Sequence, residues 1–103
     1  MKTWSELHEV LSEIMGENGN VYFQPPENLK IKYPCIVFER TNALTTYADN
    51  NPYQVVKRYT VTLITKSADN DQYLDKLLML PMCTFDRQFV TEGLVHDVFN
   101  IYY

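Results

Sequence analysis

The stretch Tyr53–Lys66, YQVVKRYTVTLITK, decides the fold. Tyr53, Val55, Tyr59, Val61 and Leu63 alternate along one face, while Gln54, Arg58, Thr60 and Thr62 line the other. That period of two is the mark of a half-buried β-strand. Common strands run to about 5–6 residues, so one this long can reach past its own domain. Upstream, Cys35–Thr41 (CIVFERT) reads as a second strand, with Ile36 and Phe38 on one face and Cys35 and Val37 on the other. Apolar residues on both faces predict a central position in the sheet. Between the two strands lies Asn42–Pro52, NALTTYADNNP, which is polar, charged only at Asp49 and rich in turn formers. Its composition predicts a loop, longer than a hairpin needs, that projects from the domain as an arm.

The remaining elements follow outward from these strands. Thr3 with Glu6 makes a capping box, and Trp4, Leu7, Leu11, Ile14 and Met15 recur at helical spacing up to Gly16. A helix over about Thr3–Met15 is expected, with Glu9 and Glu13 in water. Val21–Phe23 is a short strand stopped by Pro25-Pro26, and Glu27–Pro34 is a connection. After Lys66, Asp69 or Asn70 caps a second helix whose apolar face is Tyr73, Leu74, Leu77 and Leu78, and which Pro81 ends. Thr84–Thr91 is a strand with Phe85 and Phe89 expected on one face. Glu92-Gly93 is a turn, and Leu94–Tyr103 is the last strand. The expected fold is therefore α+β, in the order α-β-β-β-α-β-β: an antiparallel or mixed sheet with two helices packed on one face. Leu7, Leu11, Ile14, Leu74, Leu77 and Leu78 are expected to form the helix layer. In the last strand, Leu94 and Val98 share one face and Val95, Phe99 and Ile101 the other. Either the strand is a buried central one, or its second apolar face is covered by another chain.

With 103 residues, 46% of them apolar, the chain suits one domain over 1–103 with a real core. The net charge of −4, without a basic stripe, disfavours sustained duplex binding. The first ten residues, MKTWSELHEV, lack the apolar run of a signal peptide, and no stretch approaches the roughly 20 apolar residues of a membrane span. Assembly in a cytoplasm is expected, with no membrane partner.

Sites for chemistry are sparse. Cys35 and Cys83 form no CxxC motif and read as buried thiols acting as small apolar residues. Cys83, His96 and Asp97 supply the residue types of a thiol relay, but neighbouring His and Asp on a strand point to opposite faces. His96 instead reads as hydrogen-bonded near a sheet edge. Asp69, Asp71 and Asp75 lack the glycine and final glutamate of a calcium loop, so helix capping explains them better. His8 has no second ligand at metal spacing, and the three glycines sit at turns rather than in a phosphate loop. No catalytic residue, cofactor or metal is expected. Eight tyrosines and five phenylalanines suit protein interfaces better than base stacking, which normally comes with basic neighbours.

The segment YPCIVFER (Tyr33–Arg40), a polar stretch, and the long strand ending YTVTLITK (Tyr59–Lys66) resemble the tail terminator, or tail-completion, proteins of long-tailed bacteriophages. DKLLMLPMCTFDRQF (Asp75–Phe89) and LVHDVFNIYY (Leu94–Tyr103) are similar to the same family. The resemblance covers most of the chain by order of elements. It implies a non-enzymatic structural protein of the virion, at the tail–neck junction, assembled in the host bacterial cytoplasm. It implies a homo-oligomeric ring, a hexamer in that family, that caps the tail tube and joins it to the neck or head-completion protein. DNA would pass through the bore without specific binding. Thr45, Thr46, Tyr47, Asp49, Arg58, Tyr102 and Tyr103 are the expected interface residues, with Tyr47 as the anchor of the arm. The competing readings are another neck or head-completion protein, a small single-stranded nucleic-acid binder, and a small inhibitor of a host enzyme.

Overall fold

A computed structural model of the chain describes residues 3–17, 19–48, 51–67 and 70–103, with backbone alone for 44–48 and 51–55. The order is α1 (Trp4–Met15), β1 (Asn20–Phe23), β2 (Cys35–Ala48), β3 (Asn51–Thr65), α2 (Asp71–Leu78), β4 (Cys83–Thr91) and β5 (Leu94–Tyr102), as the sequence predicts. The five strands form one mixed sheet in the order β1-β2-β3-β5-β4. β1 runs parallel to β2, and the other neighbours are antiparallel. Both helices lie on one face, so the domain is α+β.

Local chemistry sets the helix ends. The Glu6 amide donates to Thr3 Oγ1 (3.4 Å), and Gly16 ends the helix at a positive φ (73°) that a side chain disfavours. α1 buries Leu7, Leu11, Ile14 and Met15, and Trp4 at its rim stacks on Phe23 with centroids 4.5 Å apart. Their counterparts on the sheet include Ile36 and Phe38 of β2, Tyr59, Val61 and Leu63 of β3, and Phe99 of β5. Leu77 joins this core and Leu74 packs against it, but Leu78 is 44% exposed. α2 is only two turns long, so Leu78, about 100° around the axis from Leu77, points away from the sheet. The six-residue helix layer expected from sequence is thus corrected at Leu78.

β4 and β5 are joined by Glu92-Gly93, both at positive φ (51° and 76°), in the two-residue turn whose twist matches an antiparallel hairpin. A bulge at Asp86 separates the pairs Phe85↔Phe99 and Arg87↔Val98. An extra residue in a strand flips everything beyond it to the other face. Phe85 therefore meets Phe99 on the helix side (5.4 Å, edge to face), whereas Phe89 stacks on His96 on the far side (4.7 Å). The expectation that the two phenylalanines share a face is corrected accordingly.

Asn42–Pro52 differs most from its sequence reading. β2 continues to Ala48 and β3 begins at Asn51, with cross-strand pairs from Asn42↔Arg58 to Ala48↔Asn51. What composition suggests as a loop is a two-stranded ribbon. Its bases are marked by a bulge at Thr41, whose hydroxyl donates to the Arg58 carbonyl (3.2 Å). The flanking strands stop at its root, where Phe23 pairs with Phe38 and Tyr102 with Arg58. Threonines and a tyrosine tolerate extended backbone, and Pro52 is permitted because a ribbon has free edges on both sides.

Candidate functional site

The ribbon gives the protein its shape. The principal extents are 51 × 30 × 25 Å, and the radius of gyration is 14.7 Å. A compact chain of this length would have a radius of about 13 Å. Thr45 and Thr46 lie in the ribbon opposite Val55 and Gln54, and Tyr47 lies opposite Pro52. Asp49 falls outside the described residues. Arg58 and Tyr102 are cross-strand partners at the root, and Tyr103 exchanges backbone hydrogen bonds with Lys57 (2.8 and 3.2 Å). Six of the seven expected interface residues thus lie along or beside one feature: the arm and its base. Two buried polar atoms there, Arg58 Nε and the Tyr59 hydroxyl, have no hydrogen-bond partner. Burial pushes the Tyr59 hydroxyl pKa up, an effect that the nearby Arg40 charge opposes.

Among the described residues, β1 and β4 are the edge strands of the sheet and no further strand pairs with either. β1 is four residues long, and β4 is exposed over almost its whole length. The bulge at Asp86 and the exposed Asp86–Arg87 ion pair (3.0 Å) interrupt the β4 edge, as edge strands of monomeric surfaces commonly require. Next to this edge, Leu78, Met79 and Met82 are exposed, Met79 by 84%. A cleft of about 90 Å³ opens between α1 (Leu7, Val10), the α2–β4 connection (Leu80, Pro81, Met82) and the end of β5 (Ile101, Tyr102, Tyr103). Of the cleft's lining, only Tyr102 and Tyr103 are among the interface residues expected from sequence, and the apolar lip is not. The run Met79-Leu80-Pro81-Met82 was the available signal, since a cluster of apolar residues in a connection departs from ordinary surface composition.

The residues considered for chemistry are kept apart. Cys83 pairs with Ile101, well down the strand from Asp97. The His96 ring lies on the far face with Nδ1 3.2 Å from the Leu94 carbonyl oxygen. Cys83 is half-buried rather than buried, because β4 is the edge strand. Burial pushes the Cys35 thiol up to about 12 and the Cys83 thiol up to about 11. At pH 8 Cys83 should react with a maleimide about a hundredfold, and Cys35 about a thousandfold, more slowly than a free cysteine, for want of thiolate. Rapid labelling of the native protein would contradict this. Since the folded state holds these thiol protons more tightly, their contribution to stability is intact below about pH 8.5 and falls as the pH rises toward 11–12. Among the described residues, no three of His, Cys, Asp and Glu cluster for a metal. His8 is used structurally: Nε2–H donates to the Val21 carbonyl (3.2 Å), and Nδ1 accepts from Ser12 (3.4 Å).

Asp97 is fully buried and holds α2 to the sheet. Its Oδ2 accepts from Asn70 Nδ2 and its Oδ1 from Gln88 Nε2, each at 2.7 Å. Asn70 Nδ2 also donates to Thr65 Oγ1 (3.2 Å). Asn70 is the N-cap residue of α2, but its side chain makes no cap hydrogen bond. The capping expected of it is replaced by this buried network, and Asp69 lies outside the described residues. A carboxylate can accept at both oxygens, whereas an amide must present a donor at one end. Asp97→Asn should therefore cost about 1–3 kcal/mol despite its equal shape, read by urea unfolding. An unchanged unfolding midpoint would show that the network is dispensable.

No helix among the described residues is long and apolar enough to cross a membrane. Comparison with protein-family models gives no match, and comparison with curated proteins gives none.

Proposed function

We propose that this protein is a structural subunit of a phage virion, a tail-terminator-like protein that forms a ring, caps the tail tube and joins it to the neck. The observation that carries this reading is the β2–β3 ribbon, a paired arm that extends beyond a small body and whose two strands, among the described residues, pair only with each other. Isolated two-stranded ribbons are marginally stable in water, so an arm of this kind suits a surface supplied by another subunit. The two edge strands, β1 and β4, add unlike surfaces by which subunits can associate head to tail, the arrangement that closes into a ring. The resemblance in Tyr33–Arg40, Tyr59–Lys66, Asp75–Phe89 and Leu94–Tyr103 names the class. A role in binding and assembly rather than catalysis fits the separation of Cys83, His96 and Asp97.

Mass measurement and negative-stain images of the purified protein, alone and with tail tubes, test the proposal. Rings in solution or at tube ends are the expected result. Binding to a head connector but not to tubes would shift the assignment to a neighbouring neck protein. A chain that stays single and binds neither would overturn it. Salt-dependent binding to single-stranded oligonucleotides would point to the nucleic-acid reading instead.

A further inference from the structure

The connection between β1 and β2 presents a feature that the cleft lacks. A turn closed by the Leu29 amide on the Pro26 carbonyl (3.1 Å) leaves Leu29 42% exposed, between the core-poor stretch before it and the exposed Lys30 and Lys32 after it. This segment is anchored to the β1 flank: Lys32 N–H donates to the Tyr22 hydroxyl, and Asn20 Nδ2 donates to the Lys32 carbonyl (3.3 Å each). The cleft lies toward the other flank. Its floor is β5, three strand spacings or about 14 Å from β1 across the sheet.

The two features match in size and charge. An apolar cavity of about 150 Å³ admits benzene, so a cleft of about 90 Å³ has room for the four carbons of a leucine side chain. Its lining is apolar apart from the two tyrosines, and Met82 at the lip is unbranched and can adjust to an occupant. The rim is acidic. Glu6 and Glu9 are exposed on α1, and both carboxylates act on the Tyr103 hydroxyl, which burial and these charges push up. A single chain thus carries an exposed leucine followed by lysines on one flank and an acid-rimmed apolar cleft on the other.

We infer that Leu29 of one copy enters the cleft of the next copy, with Lys30 and Lys32 set against Glu6 and Glu9. The contact is heterologous, joining unlike surfaces, so repetition about an axis closes a ring. The inference rests on the ring reading and specifies which surfaces make the joint. The leucine supplies apolar burial, and the charges set register and reject a displaced pairing.

Lys30→Glu and Glu9→Lys, made separately, test it by sedimentation velocity over a range of concentrations and by negative stain on tube ends. Both positions are exposed, so each variant should melt like the parent. Each alone places like charges across the joint and should weaken self-association about tenfold or more. An equimolar mixture of the two variants should recover association, because alternating copies restore opposite charges at every joint. Leu29→Ser should weaken it without recovery in either mixture. If wild-type rings form and the single variants form them equally well, the joint lies elsewhere and the ring reading stands. If the wild-type chain neither self-associates nor forms rings on tubes, the ring reading fails and this inference with it.

Discussion

Replacing residues 44–56 by Asn-Gly should leave the body folded and, on the proposed role, abolish head–tail joining. Ala43 and Lys57 face each other across the ribbon, so a two-residue turn can close the shortened hairpin there without changing the register below it. Among the described residues the arm's strands pair only with each other beyond that point, and the bulge at Thr41 and the bonds between Lys57 and Tyr103 remain. Loss of stability should stay near 1 kcal/mol, because an isolated two-stranded ribbon contributes little. The functional effect should be large, since the proposed role places the arm against a neighbouring subunit or the tube. Complementation of a phage lacking the protein, scored as joined particles, measures it. Infectious, correctly joined particles from the shortened chain would show that the arm has no part in assembly.

Phe38→Ala should be among the most destabilising single substitutions. Phe38 has no exposed surface and sits among Phe23 (4.9 Å between centroids), Tyr59 and His8 (6.1 Å each). It ties β1, β2, β3 and α1 together at one point. Removing a buried phenylalanine side chain costs about 3–5 kcal/mol, through lost burial and the cavity left behind. Domains of this size are stable by about 5–15 kcal/mol in all, so the loss is a large fraction of the total. The Tm should fall by about 15 °C or more. Leu78→Ala, on an exposed helix end, should change stability by no more than about 0.5 kcal/mol. Equal melting of the two variants would show that the core is centred elsewhere.

How much was legible varies by element. α1 could be read almost residue by residue, because Thr3, Glu6, the apolar spacing and Gly16 all act within the helix itself. The alternation in Tyr59–Leu63 and in Ile36–Phe38 correctly gave the buried face, since a strand with one face in a core must repeat every two residues. The arm was misread as a loop for the same reason in reverse. Ribbon residues need bury neither face, so no alternation marks them, and their threonines and asparagines resemble turn composition. The expected interface residues of the arm lie along one feature, but the cleft, apart from Tyr102 and Tyr103, and Leu29 do not show in the sequence, because each becomes meaningful only beside residues distant in sequence.

The sequence by itself determined the element order, the two caps of α1, the interior place of β2, the place of the Glu92-Gly93 turn and the scarcity of chemistry-bearing motifs. All of these depend on interactions within a few residues or on composition. Only the tertiary structure decided the insertion of β5 between β3 and β4, and the parallel pairing of β1. It also decided the bulge at Asp86 that parts Phe85 from Phe89, and the recruitment of Asn70 from capping to the buried Asp97. These outcomes depend on which segments compete for the same partner across the fold. A backbone hydrogen bond or a buried carboxylate is satisfied by whatever packing brings within about 3 Å, and local sequence does not encode that distance.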